Sequence, residues 1–428
     1  PVYYHLIQRI LEIYGDTGLA DGDVLVCNHP CEGNLPHVPD MALVRPVFAN
    51  GALVAFTASI AHKADVGGAV PGSTWGQATE LFQEGLLLPP VKIVRAGVPD
   101  RDMESIVAGN SRKPDLVLGD MRAQIGVTGI GAAQIAALCE KIGPDVFTAA
   151  FEAILDASAR TLRTALTGLP DGAHESEGFL DDDGVERGKP VPIRVRVEVD
   201  DGRVHVDFTG SAAQTRGPAN LRLAMVEACA FYCLDIPYSD AAREAIRFTL
   251  PDRSIVNPGP SAPCSSYMKT CQKVVDVMLQ ALDPFRPGRA IANAGGSASI
   301  MVAWQDGIAR NNQYEIFGSA YGAGAGQDGT TGVTVHLANI FATPGHRRRR
   351  RLARRARLPA RLRTAGAGRD HLSRRPRRGG AAGPRRRRSG CEKPFPAGAG
   401  YAGRAPDALI VSRDLSGRHG FQPADGGR

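Results

Sequence analysis

Long hydrophobic runs are missing from this chain. No uninterrupted stretch of 18 or more apolar residues occurs in its 428 residues, which on sequence grounds excludes an ordinary transmembrane helix. The N-terminus, Pro1-Val2-Tyr3-Tyr4-His5, has neither a charged n-region nor an apolar h-region, so no signal peptide is expected. It also lacks a starting Met, and a chain incomplete at its N-terminus is the expectation. Cysteine is sparse and irregularly spaced, eight in all, which favours a reduced cytoplasmic protein over a disulfide scaffold. There is no Gly-x-Ser-x-Gly elbow for a serine hydrolase. The Gly-rich run Gly318–Gly326 lacks the Lys-Ser/Thr ending and following helix of a phosphate-binding loop. Lysine and aromatics are nearly absent from the last 82 residues, which weakens a nucleic-acid arm there.

What is present divides in two. Residues 347–428 hold 23 Arg and one Lys against five acids, a net charge of +19, which leaves −12 on the first 346 residues. With Arg, Gly, Ala and Pro dominant and no apolar period, 346–428 reads as a basic low-complexity tail, disordered or translated out of frame. A basic-tailed nucleic-acid-binding protein is the rival reading from another class; its affinity would fall steeply with salt. The body is 1–345, and it is long enough for two cores.

Along that body, residues 4–14 suit an amphipathic helix ending at Gly15, and Val24–Cys27 a short buried strand. Met41–Phe48 and Ala52–Ile60 flank Ala49-Asn50-Gly51, a strong hairpin signal. Residues 67–76 form a Gly/Pro loop, and 120–168 read as helical with a break at Gly143-Pro144. Ile193–Val199 and Val204–Phe208 alternate strictly around Asp201-Gly202, a second hairpin with one wet face. Ala219–Leu234 and Lys269–Leu282 suit buried helices, and 294–336 short strand-like pieces. The expected fold is α+β, a mixed multi-layer arrangement of hairpins and buried helices without regular βα alternation. The expected divisions are 1–170, a metal-site region, and 171–345, a second α+β region.

The chemistry concentrates at the ends of the first hairpin. His37 and Asp40 precede its first strand, and His62 and Asp65 follow its second. A hairpin returns its ends to one place, so the four can converge. Two imidazoles and a carboxylate suit Mn, Fe or Zn in an open site, with Asp65 placed to fix the tautomer of a ligating His. Turn-forming residues that cap and hydrogen-bond the chain are the alternative reading of the same four. The pairs Cys27/Cys31 and Cys229/Cys233 are not zinc spacings, and the second reads as a core pair. Lys92, Arg122 and Arg216 are candidate anion ligands, with surface or structural pairing the default.

The body resembles the hydantoinase B/5-oxoprolinase family, which includes large subunits of acetone and acetophenone carboxylases. The resemblance is carried in order by GDVLVCNHP (22–30), GNLPHVPDMALVRPVF (33–48), AHKADVGGAVPGS (61–73), FQEGLLLPPVKI (82–93), GDMRAQIG (119–126), VDFTGSAAQTRGPAN (206–220), SIVNPGPSAP (254–263), TCQKVVDVMLQAL (270–282) and GAGAGQDGTTGVTVHLANIFATP (322–344). It implies a metal on His37, Asp40 and His62, and ATP-dependent chemistry shared with a hydantoinase A-like subunit that binds ATP. The implied reaction is hydrolysis of a cyclic amide such as a hydantoin or 5-oxoproline, or alternatively carboxylation of a ketone. His336 also lies in a family motif. Two positions depart from the pattern. Asn28-His29-Pro30 stands where Asn-Asp-Pro is usual, which makes His29 a catalytic candidate placed to reach the metal. Lys63 stands where many members have a second His. The resemblance stops at Pro344, where the arginines begin.

Overall fold

The computed structural model describes residues 1–15 and 17–293, most of 298–333, and the three residues 408–410. His336 and, apart from 408–410, the basic tail lie outside the described residues.

The first region is built on a five-stranded antiparallel sheet in the order β3-β2-β1-β4-β5. Helix α1 (Val2–Tyr14) leads into β1 (Val24–Cys27), β2 (Asp40–Ala49) and β3 (Ala52–His62). After a 3₁₀ turn at Leu81–Glu84 come β4 (Val91–Arg95) and β5 (Val98–Pro99). All four residues of β1 are buried, as expected of a central strand covered on both faces. Leu6 and Ile10 of α1 pack on one face with Leu25, Ala42 and Val44. On the other face, Val24, Val26, Met41 and Leu43 meet α2 (Arg101–Asn110) and α3 (Pro114–Ile142) through Val107, Val117 and Met121. Burying each such side chain stabilises the fold by about 1.5–3 kcal/mol. Asp100 starts α2, its carboxylate accepting from the Asp102 and Met103 N–H groups.

The turn between β2 and β3 places Asn50 and Gly51 at φ +51° and +80°. Both central residues are left-handed, as a two-residue turn must be to match the twist of its strands. The ladder then pairs Phe48 with Leu53 but Val47 with Ala55, which leaves Val54 unpaired as a bulge.

Helix α4 (Pro144–Thr167) follows α3 after Gly143-Pro144 and leads to the second region. There β6 (Gly172–Leu180), β7 (Val191–Asp200), β8 (Arg203–Asp207) and β9 (Ile246–Thr249) form a sheet in chain order. The last pair is parallel. Val191, Ile193, Val195, Val197 and Val199 of β7 point inward. Against them lie α5 (Leu223–Leu234) and α7 (Tyr267–Leu282), with the short α6 (Asp240–Ala245) before β9. Arg194 and Arg196 face outward and pair with Glu177 and Glu198. Beyond α7, β10 (Ala298–Asp306) pairs with β11 (Ala309–Phe317) and with β14 (Ala408–Ile410), while β12 (Ser319–Tyr321) pairs with β13 (Thr330–Val333).

Several elements differ from the expectation, among them α2, β4 and β5, for which none was expected, and α3, which starts at Pro114 rather than 120. Helix α5 begins at Leu223 rather than Ala219, because the buried Asn220 side chain bonds the carbonyls of Thr215, Gly217 and Pro263 and holds an extended entry. Strand β6 was hidden by its polar, exposed composition. The expected short pieces at 294–336 include a nine-residue pairing of β10 and β11. Among the described residues one helix, α3, is long and apolar enough on average to cross a membrane, although scattered polar residues interrupt it. Gly51→Val should destabilise the protein by about 1–2 kcal/mol in urea unfolding, because a β-branched residue resists φ near +80°. Asn50→Gly, which meets the same turn geometry freely, should change stability little.

Candidate functional site

The bulge decides which residue faces Asp40. From Val47 outward the ladder runs Val47–Ala55, Arg45–Thr57 and Leu43–Ser59 to Asp40–His62. Residues directly opposite in an antiparallel pair share a face, so the first residue of β2 and the last of β3 project together. His37 joins them through a turn in which the Asp40 N–H donates to the His37 carbonyl at 3.1 Å. The His37 and His62 ring centres lie 5.1 Å apart. His37 Nε2 is 3.2 Å from Asp40 Oδ2. One donor atom from each of His37, Asp40 and His62 lies within 4.8 Å of the others. The Tyr267 ring, from the first residue of α7, meets His37 edge to face with ring centres 5.0 Å apart.

His37 is buried, Asp40 half-buried and His62 open to solvent. Burial opposes the charge on His37, but the Asp40 carboxylate overrides it and holds the imidazole above its ordinary value. Burial also opposes the charge on Asp40, and the pull of His37 holds that carboxyl below the usual range. Packing strips water from part of the His62 ring, and its neighbour His37 adds repulsion; together they push it down to about 4. The Ser265 backbone helps raise the pKa of His37, yet among the described residues no group makes a hydrogen bond of normal geometry to its buried Nδ1.

Asp65 and His29 do not belong to this cluster of three. Asp65 is fully buried, and its carboxylate accepts from the N–H groups of Gly67, Gly72 and Arg112 at 2.8–3.0 Å. It also pairs with the Arg112 guanidinium at 3.1 Å, which in turn donates to the carbonyls of Gly67, Gly68 and Val70. Asp65 thus folds the 65–73 loop about itself. Gly68 sits at φ +79°, where an added Cβ would come within 2.5 Å of the Gln83 carbonyl oxygen. His29 Nδ1 accepts from the N–H groups of Cys31 and Glu32, as an Asp carboxylate would in an Asx turn. Burial lowers its pKa, which suits a neutral acceptor nitrogen.

Other polar groups enclose the cluster. Lys63 is fully buried and donates to Gln124 Oε1. Gln124 in turn donates to the carbonyls of Met41 and Ser59, tying α3 to the hairpin. Burial pushes the Lys63 ammonium down to about 8. Asn28 bonds Val38, Leu86 and Leu88, joining β1 to the loop that carries His37.

Glu84, which sequence reasoning did not single out, is fully buried and accepts from the Cys264 and Ser265 N–H groups at 2.6 and 2.7 Å. Nearby, Arg222 donates to the carbonyls of Pro258, Gly259, Pro260 and Ala262. Burial and the charge of Glu84 push the Cys264 thiol far up, so it is no nucleophile. The only sequence signal for Glu84 was an acid inside an otherwise apolar motif. Of the candidate anion ligands, Lys92 is occupied by Asp23 at 2.6 Å, and Arg122 lies 3.6 Å from Glu104. The described cysteines are free, and Cys229 and Cys233 lie in the core.

A family model described as Hydantoinase B/oxoprolinase matches residues 3–346. The chain belongs to this family. It is 32% identical over 364 residues to a putative D-/L-hydantoinase subunit of Pseudomonas sp. strain NS671, a match covering 80% of this chain and 61% of that one. It is 28% identical over 366 residues to 5-oxoprolinase 1 of Arabidopsis thaliana, covering 78% of this chain and 28% of the plant protein. Its fold is similar to that of the ATP-dependent caprolactamase from Pseudomonas jessenii (TM-score 0.69, 25% identity, covering 78% of this chain and 59% of that chain). The chain therefore spans about three-fifths or less of the length of these relatives.

Glu84 generates a pH dependence. Burial raises its carboxyl from an ordinary value of 4.5 to about 7, outweighing the two N–H donors. The folded state then binds this proton more tightly than the unfolded state, so stability falls as pH rises from about 4.5 to 7. His62, pushed down to about 4, contributes the opposite slope between about 4 and 6.5, so the test is the difference: urea midpoints of chelator-treated wild type minus those of Glu84→Gln should fall as pH rises across the Glu84 window.

Proposed function

We propose that this hydantoinase B-type chain serves an ATP-dependent enzyme that opens a cyclic amide of the hydantoin or 5-oxoproline type. In this reading His37, Asp40 and His62 hold a divalent cation, Mn, Fe or Zn. The observation that carries it is the convergence of two imidazoles and a carboxylate within 4.8 Å at the mouth of one hairpin. The chemistry of the set fits a borderline divalent ion with open positions. His37 Nε2 faces Asp40 at 3.2 Å, and the interaction of the ring with the Ser265 backbone is the kind of outer contact that holds a ligating imidazole in one orientation. Bound there, such an ion would supply Lewis acidity toward an amide carbonyl oxygen, or a bound water of lowered pKa.

The chain's own residues do the positioning. The ladder fixes Asp40 opposite His62, and the turn fixes His37 beside both. Solvent access at His62 gives a small molecule its approach, while Tyr267 screens the inner side of His37. Asp65 serves the site by setting the glycine loop next to it, whose bare backbone lets a ligand come close. His29 acts on the same site through the turn it caps. Residues 1–170 carry the metal site, and 171–345 supply the α7 end that closes it.

ATP is assigned to a hydantoinase A-like partner. That assignment rests on a relative whose name makes it one subunit of a larger enzyme. The low cysteine count, with the described cysteines outside any disulfide, supports a cytoplasmic setting. Metal analysis of dialysed protein tests the reading. The intact chain should retain about one ion, and His37→Ala or His62→Ala should each weaken retention by more than about 100-fold with circular dichroism unchanged. Equal metal content in both folded variants would remove this function. With the partner added, bicarbonate-dependent turnover of a ketone would assign the carboxylase reaction instead.

A further inference from the structure

A carboxyl group with no exposed surface is a costly way to join two loops, since a neutral side chain can accept the same hydrogen bonds. Glu84 is such a group. It ends the Leu81–Glu84 turn, and the chain on either side of it is tied to the glycine loop. The Ala69 N–H donates to the Gln83 carbonyl and the Leu86 N–H to the Val66 carbonyl, each at 2.8 Å. From this base the Glu84 side chain crosses to the entry of α7. Its Oε1 accepts from two successive N–H groups, those of Cys264 and Ser265, at 2.6 and 2.7 Å, and the Cys264 thiol lies 3.8 Å from Oε2. Successive N–H groups that converge on one oxygen fix the direction of both peptides.

Those peptides lead to His37. The Cys264 carbonyl accepts from the Tyr267 N–H at 3.0 Å, and the Tyr267 ring meets the His37 ring edge to face. The Ser265 backbone interacts with the same imidazole. Two further bonds steady the segment: the Ser265 hydroxyl donates to the Trp75 carbonyl and the Ser266 N–H to the Pro218 carbonyl, both at 3.0 Å. An imidazole ligates a metal well when its outer side is held in one orientation. We infer that Glu84 is a positioning residue of the candidate metal site, a strut from the glycine loop that sets the 264–267 turn and, through Tyr267 and the Ser265 backbone, fixes the His37 ring. The purpose of the strut rests on the metal reading of His37, Asp40 and His62, whereas its geometry does not.

Cobalt(II) titration of the dialysed full chain against a competing chelator reads the affinity, and crystal structures of the metal-free protein read the ring. Glu84→Ala should raise the dissociation constant by about 10–100-fold with circular dichroism kept, and should turn the His37 ring. Glu84→Gln keeps an oxygen acceptor without the charge and should recover most of the affinity. Tyr267→Ala probes the far end of the strut without unpairing the buried N–H groups. It should weaken cobalt binding in the same way, and adding Glu84→Ala to it should cost little more, as expected of two changes that act through one ring. Wild-type affinity in Tyr267→Ala or in folded Glu84→Ala would overturn the proposal, as would an unmoved His37 ring in both. So would Glu84→Gln as weak as Glu84→Ala, which would make charge rather than position the acting feature. A wild type that takes up no cobalt, with the His37 ring turned in either alanine variant, would instead remove the metal reading and leave the strut.

Discussion

One extra residue in β3 governs the candidate site. With the turn at Asn50-Gly51 fixed, an unbulged ladder would continue the Phe48–Leu53 register outward and place Ala61, not His62, opposite Asp40. His62 would then project from the other face of the sheet, since side chains alternate with a period of two. Val54, left out of the pairing, shifts the outer ladder by one and returns the imidazole to the carboxylate's side. Pro46, which has no N–H to give the ladder, lies close to this irregularity, where a central sheet tolerates it best. The convergence of His37, Asp40 and His62 is therefore a consequence of strand register rather than of any attraction among the three.

Register alone would leave the groups loose. A ring of buried polar residues removes that freedom, and each is matched chiefly to backbone. Asp65 with Arg112 fixes the glycine loop, Lys63 with Gln124 fixes the hairpin to α3, and Asn28 fixes the loop carrying His37. Glu84 fixes the 264–265 segment, and Arg222 the four carbonyls before it. Buried charges are costly unless their hydrogen-bonding capacity is satisfied, and removing one partner typically costs about 3–5 kcal/mol. Such groups add less to stability than to uniqueness, because a loop with all its polar atoms matched has few alternative conformations.

The hairpin and its turn were legible because all the information lies between residues 37 and 62, but the residues alone offered four side chains, Asp65 among them, and only the family resemblance singled out His37, Asp40 and His62. Asn-Gly sets the reversal, alternating apolar residues set the strands, and the side chains at the ends follow. The bulge was not legible, since nothing in Leu53-Val54-Ala55 marks one residue for exclusion. Glu84 and its partners escaped because 180 residues separate it from Cys264, and chain proximity carries no trace of that contact. The resemblance to the family marked His29 as a departure at a site position. Its turn contacts show the ring nitrogen filling the local role of the missing carboxylate, a substitution that only geometry reveals. The start of α5 was misplaced for a related reason, because the Asn220 side chain competes for backbone that composition alone would make helical.

Helix α3 ties these levels together. Its inner face cannot be exchanged for lipid without loss, because Gln124 satisfies the carbonyls of Met41 and Ser59 and anchors Lys63 beside His62. The Thr128 carbonyl also accepts from the Thr57 hydroxyl of β3. Pulling α3 off the sheet would leave these groups unmatched in an apolar setting, at about 1–3 kcal/mol for each neutral group. The helix is therefore committed to the hairpin on one side, and the buried Val117 and Met121 supply part of its average apolar character.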